Sequence, residues 1–352
     1  MKRVALIMAV LILAGVTSAV AQWGTIETVT KLNMNIGSED DEIIWEDEEN
    51  TDWNETDHVS GTWETIEVGG NQYINLDDHR AAVTWADENI EEWTAPTELS
   101  VDGEAYDVSV IEGAYSTGLK RVTLSDGIRK IDDFAFFGIT QLMEISLPYT
   151  LTDIGEAAFY DCTGLTMLDL PAGIAQIGES AFAGCRGLES MWIPGSIGGN
   201  LGVRAFEDCT ALGGVWLEEG VTEIPPFAFA RCETLSCVEM HEGLEVIDDL
   251  AFWNCSNLAF IRIPRSVKRI GASAFENCSN LRMVVFEGVP EQISPEAFKG
   301  CDALNRIYVP LQWDDALTRS VPELGVASVK ALSEDEMKAA LKEQDDTGNI
   351  SF

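Results

Sequence analysis

The chain has 352 residues, with 60 Asp and Glu against 22 Lys and Arg and a net charge of −38 at neutral pH. A chain this acidic repels nucleic acid and anionic lipid, which excludes both as partners, and it stays soluble and repels its own copies. The expected state is a monomer.

Lys2 and Arg3, an apolar run from Val4 to Val16 and small residues at Ala19 and Ala21 read as a signal peptide over residues 1–21. No Cys follows that run, so a lipid anchor is not expected. Nothing later offers the roughly 18 apolar residues that a bilayer span needs. The mature chain is therefore expected to be exported without a membrane span, to the extracellular space, the cell surface or the periplasm.

Residues 22–60 form an acidic segment. Between Glu39 and Asp57 carboxylates stand at 39–42, 46–49, 52, 55 and 57 with no Lys or Arg among them. A weak Ca²⁺ site is one reading, since hard cations want several carboxylate oxygens, but no twelve-residue loop with Gly at its sixth place is present. The reading preferred is a self-repelling, flexible linker. Ile43, Ile44, Trp45 and Trp53 are unusual in a spacer and suit docking elsewhere on the chain. From 61 to 113, alternation in "TWETIEV", "AAVTW" and "YDVSVI" around "GGN" and "DGE" predicts β-hairpins, placed as an N-terminal β cap.

The phrase "AFENCSNL" at Ala274 has near-copies starting at Ala158, Ala181, Ala205, Ala228, Ala251 and Ala297, spaced by 23 residues except for one step of 24 from Ala181 to Ala205. A fixed period of this length marks a solenoid, in which stacking builds the core that no single unit holds. After each phrase comes a period-two stretch such as Leu258, Ile261, Ile263, Pro264 or Leu165, Leu168, Leu170, Pro171, which predicts a short strand ended by a turn. An apolar pair three apart follows, as in Val267 and Ile270. One rung is thus strand, turn, short second edge, and a corner filled by Phe and Cys. Seven cysteines, Cys162, Cys185, Cys209, Cys232, Cys255, Cys278 and Cys301, fall at that corner. Their Cβ vectors point the same way on every rung, which favours a ladder of buried free thiols, each a weak donor able to reach a loop carbonyl, over disulfides.

The pattern L-x-x-[IV]-x-L-P-x-x-[IV]-x-x-I-x-x-x-A-F-x-x-C resembles the 23-residue leucine-rich repeat of the BspA-like bacterial surface antigens, over 114–310. Departures are Ile139 in place of the first Cys, the degenerate "AYSTGL" at Ala114, and the inserted residue in Gly198 to Leu201. The resemblance implies a β-rich solenoid, a right-handed curved stack, on a secreted or surface-attached protein that binds other molecules. It implies no catalytic residues. Beyond it, residues 311–352 are expected to form a C-terminal cap, with a capping box of Ser333 and Glu336 opening a short helix that covers the last rung.

No enzyme motif is present: no G-x-S-x-G elbow, no phosphate loop and no H-E-x-x-H, and His58, His79 and His241 have no triad around them. Cys232, Cys237 and His241 have a zinc-like spacing, but the strand pattern turns Cys232 inward and Cys237 outward, so no metal and no cofactor is expected. The outward strand residues form two columns on the face expected to be concave. One runs Thr123, Ser146, Asp169, Trp192, Trp216, Glu239, Arg262, Val285, Tyr308; the other runs Arg121, Glu144, Met167, Ser190, Gly214, Cys237, Phe260, Met283, Arg306. Trp192 and Trp216, about 5 Å apart by strand spacing with small Ser190 and Gly214 beside them, are expected to make an open indole platform. The candidate ligand surface is Met167, Trp192, Trp216, Glu239, Phe260, Arg262, Met283 and Tyr308. It suits adhesion to an extracellular protein in preference to a glycan, and Asp169 and Glu239 favour a partner with basic character. The alternative is a structural spacer of the cell envelope whose face binds nothing specific.

Overall fold

The computed structural model describes residues 65–68, 71–77, 80–85, 90–101, 103–113, 118–313 and 328–345. The signal-peptide and acidic-segment readings lie outside the described residues. From 65 onward the chain is a β-solenoid of about nine turns with one short helix near its C-terminal end.

Each rung carries two edges. The longer edge supplies the strands Arg121–Leu124, Glu144–Ser146, Ser190–Ile193, Gly214–Leu217, Cys237–Glu239, Phe260–Ile263, Met283–Phe286 and Arg306–Pro310. They run parallel and in register wherever they pair, because equivalent residues of a 23-residue period face one another. The second edge supplies two-residue strands, in which Ile131, Ile154 and Ile177 align, then Ile224, Ile247, Ile270 and Ile293. A lone bridge from Ile177 to Leu201 stands between the two sets, at the rung lengthened by one residue. Alternation buries one side of every strand: Met191, Ile193, Val215, Leu217, Ile261 and Ile263 all turn into the core.

One expected strand does not form. Residues 166–170 are irregular, although Leu165 and Leu168 are buried as predicted. The backbone of this rung is tied to the next by a hydrogen bond from the Glu189 N–H to the Thr166 carbonyl (3.1 Å). Packing of the two leucines, not a ladder, holds it in place.

The N-terminal strands extend both edges. Glu92–Ala95 pairs parallel with Arg121–Leu124 and buries Trp93 and Ala95, so parallel pairing starts ahead of the repeat phrase. Glu104–Ile111 heads the second edge by pairing with Lys130–Ile131, and takes Glu98–Val101 as its antiparallel hairpin partner. Arg80–Trp85 lies parallel to it and continues antiparallel into Asn71–Asp77 and Thr65–Val68. At the other end Ser328–Leu332 adds a further parallel strand beyond Arg306–Pro310. The helix Glu334–Asp345 follows. Its capping box is formed: the Ser333 N–H and hydroxyl each donate to the Glu336 carboxylate at 2.8 Å.

The Phe–Cys corner is the most regular part of the stack. Eight phenylalanines, from Phe136 through Phe159, Phe182, Phe206, Phe229, Phe252 and Phe275 to Phe298, stack with ring centroids 5.0–5.5 Å apart. Each of the first seven donates its backbone N–H to the Ala carbonyl of the next rung, as Phe229 does to Ala251 at 2.9 Å. The carbonyl of the same Phe accepts the thiol of the next rung's cysteine, as Phe229 does from Cys255 at 3.1 Å. All seven corner cysteines bond in this way and none is in a disulfide. Ile139, in the cysteine position of the first full repeat, is buried but has no donor to offer. The tight corner also requires left-handed backbone before the Ala, at Phe134, Ala157, Ser180, Arg204, Phe227, Leu250 and Ser273. None of these seven is glycine, so each of them carries on the order of 1 kcal/mol of strain that the packed corner sustains.

Burial holds the thiols of Cys162, Cys185, Cys209, Cys232, Cys255 and Cys278 well above the ordinary thiol range, so they remain protonated donors. In the unfolded chain they ionise near about pH 8.5. Stability is therefore fully present below that pH and is progressively lost as pH rises above it. Thermal unfolding should show a level Tm up to about pH 8 and a fall above it, shallower in the Cys255→Ala variant.

Candidate functional site: the outward face of the longer strands

The counted columns fall into register. Trp192 stands opposite Trp216 and Trp216 opposite Glu239, while Arg262, Val285 and Tyr308 align farther along. The two indoles stack in parallel offset, with centroids 5.8 Å apart and planes 14° from parallel. The far edge of the Trp216 ring lies over Gly214: a Cβ there would meet its Cη2 at 2.5 Å. The Trp192 Nε1–H donates to Glu218 at 2.7 Å, and the second oxygen of that carboxylate accepts the Gly195 N–H at 3.2 Å. Glu218 stands where most rungs have the strand-ending proline, as Pro171, Pro194 and Pro264 show. Its function here is to fix the angle of the indole. Trp192 is 54% exposed and Met167, on the preceding rung, is 71% exposed. Asp169 and Ser190 are exposed beside them, and Trp216 and Glu239 are half-buried.

The face closes toward its C-terminal end. Met283 and Val285 are buried with Leu332 and Met337 in a cluster against which Phe260 and Tyr308 pack, half-buried. The C-terminal helix thus lays Met337 onto the strand face itself, besides following the last strand. The expectation of an apolar surface open along the whole face is corrected here: Phe260, Met283 and Tyr308 are occupied by the chain's own residues. Nothing short-range in the sequence couples Met337 to Met283, which is why counting along the repeat missed it. Arg262 stays exposed and is paired with Glu287 at 3.0 Å. Cys237 is half-buried, its thiol pushed up to about 11 by burial, and His241 is exposed. Cys232 is committed to the Phe206 carbonyl, so the spaced Cys232, Cys237 and His241 do not act as one donor set.

A repeat model described as the BspA type leucine rich repeat region matches residues 114–209 and 199–314 in six copies, more than half of the chain. The chain belongs to this family. Three solved structures of leucine-rich repeat proteins illustrate the likeness. The T. pallidum leucine rich repeat protein is 24% identical, over 77% of this chain and 100% of that one, with a TM-score of 0.47. A leucine rich cell surface protein of Faecalibacterium prausnitzii is 19% identical over 74% of this chain and 98% of that one, with a TM-score of 0.34. The pneumococcal vaccine antigen PcpA is 18% identical over 80% and 96%, with a TM-score of 0.35. No curated protein matches the chain. The BspA-type solenoid is typically a non-catalytic scaffold, and membership suggests a binding or adhesion role. Among the described residues no helix is long and apolar enough to cross a membrane.

Two substitutions separate the halves of this face. Gly214→Ala should force the Trp216 ring off its seat and break the indole stack, seen as loss of the near-ultraviolet circular dichroism of the pair with little change in the far-ultraviolet signal. Met337→Ala should lower stability by about 2 kcal/mol in urea unfolding and raise binding of an apolar dye as Phe260 and Met283 open.

Proposed function

We propose that the chain is an exported binding protein that presents the strand face around Met167, Trp192 and Trp216 to an extracellular protein. The observation that supports this most directly is the indole stack left open at Trp192 and held rigid from behind by Gly214 and Glu218. Large aromatic side chains that are fixed before binding lose little entropy on contact, and they dominate the energetics of protein interfaces. The apolar positions farther along the face are filled by Leu332 and Met337, so contact concentrates on this half. Export rests on the signal-peptide pattern of residues 1–21, and the BspA-type repeat is consistent with a surface or secreted location. The carboxylates around the platform favour a protein partner with basic side chains over a neutral glycan.

The test is a displayed peptide library and a glycan array, both screened with the full chain and with Trp192→Ala. Peptide binders that lose at least about tenfold in affinity with Trp192→Ala are expected, since a central interface tryptophan contributes upward of about 2 kcal/mol. Glycan binders alone would change the ligand class. No Trp192-dependent binder of either kind would leave the spacer reading in place.

A further inference from the structure

The chemistry of the partner's contact group can be read from the end of the indole stack. One π-face of Trp192 lies on Trp216. Its other face is turned toward the preceding rung, and the exposure of Trp192 and Met167 leaves it uncovered. On that rung, where no ladder forms, the repeat count aligns Asp169 with Trp192 and Met167 with Ser190, and both Asp169 and Met167 are exposed. Glu144 and Glu189 stand exposed nearby on the same half of the face.

Some carboxylates of the stack have an ion-pair partner and others do not. Toward the C-terminal end the carboxylates of Glu245, Asp248 and Glu287 each have a cation within 3.0 Å, from Lys268, Arg269 and Arg262. Among the described residues the carboxylates of Glu144, Asp169 and Glu189 have none. Arg121, which lies opposite Glu144 across the ladder, pairs with Glu92 instead. An uncovered tryptophan face beside unneutralised carboxylates is a cation site, because the ring quadrupole and the acids attract the same charge. A neutral sugar on the same ring would strip water from the carboxylates and leave their charge uncompensated. Guanidinium fits better than ammonium, since it is planar, stacks on indole, is more weakly hydrated and can pair a carboxylate through two donors at once.

We infer that this slot takes an arginine of the protein ligand, its guanidinium stacked on Trp192 with Asp169 as counter-ion. The inference rests on the reading of this face as a binding surface and names the side chain that the surface selects.

The full chain is titrated with N-acetyl-Gly-Arg-Gly-amide and with its lysine and citrulline counterparts at physiological salt. The indole N–H resonance of Trp192, assigned by its loss in Trp192→Phe, reports contact. A saturable shift is expected with the arginine peptide, several-fold weaker with lysine, roughly tenfold weaker with arginine against Asp169→Asn, and absent with citrulline. Asp169 is exposed and makes no side-chain contact that folding depends on, so its Asn variant retains the fold. An equal response to citrulline or lysine, or indifference to Asp169→Asn, overturns the inference. So does a library-selected peptide that requires Trp192 but contains no arginine, and in that case the binding reading itself still stands. If no Trp192-dependent binder exists at all, both fall together.

Discussion

Everything in this molecule depends on a double stitch at the Phe–Cys corner. Each Phe gives its N–H to the next rung's Ala and takes that rung's thiol on its carbonyl, while its ring stacks on the next ring. Two polar groups at the tightest bend of the chain are thereby satisfied without water, and the largest side chain of each unit is buried in the same step. A corner built this way can hold left-handed backbone at residues as large as Phe227 and Leu250, which a looser loop would not sustain. The strands on either side then inherit their register from the corner. Their own pairing is short, two to five residues, and would not set the alignment unaided.

That inheritance explains why so much was legible from the sequence. Counting along the repeat, with its one step of 24, put Trp192 beside Trp216 and Trp216 beside Glu239, and the ladder has those pairs. The buried Leu, Ile, Phe and Cys positions follow from the same count, as does the thiol–carbonyl contact expected of a cysteine that cannot reach another. What escaped the count was whatever broke the period or crossed it. Residues 166–170 have the same alternation as their neighbours, and alternation reports which side chains are buried, not whether the ladder hydrogen bonds close. Glu218 stands at the proline position, and its partner, the Trp192 indole, lies 26 positions upstream, off the repeat spacing. Met337 belongs to a segment with no repeat phrase, so no spacing rule could bring it to Met283.

The outward face shows how a repetitive scaffold becomes individual. The inward residues are nearly interchangeable from rung to rung, so variation is confined to positions whose side chains leave the core. In one column Asp169, Trp192, Trp216, Glu239 and Arg262 succeed one another on a nearly constant backbone. The chain then closes part of this surface with its own helix, leaving the aromatic and acidic half exposed. A small number of substitutions, none of them touching the corner, is enough to define a surface.

The interruptions of the two edges are offset along the stack. The longer edge is broken at residues 166–170 and again between Cys237–Glu239 and Phe260–Ile263, whereas the second edge is broken near Leu201. Wherever one sheet is cut, the other sheet or the corner runs through uninterrupted, as courses of brick overlap their joints. A force pulling the rungs apart would therefore meet a closed hydrogen-bond ladder or the phenylalanine stack at every level, and the joints that let each edge adapt to an inserted residue do not line up into a plane of cleavage. That offset carries tension from one end of the repeat to the other.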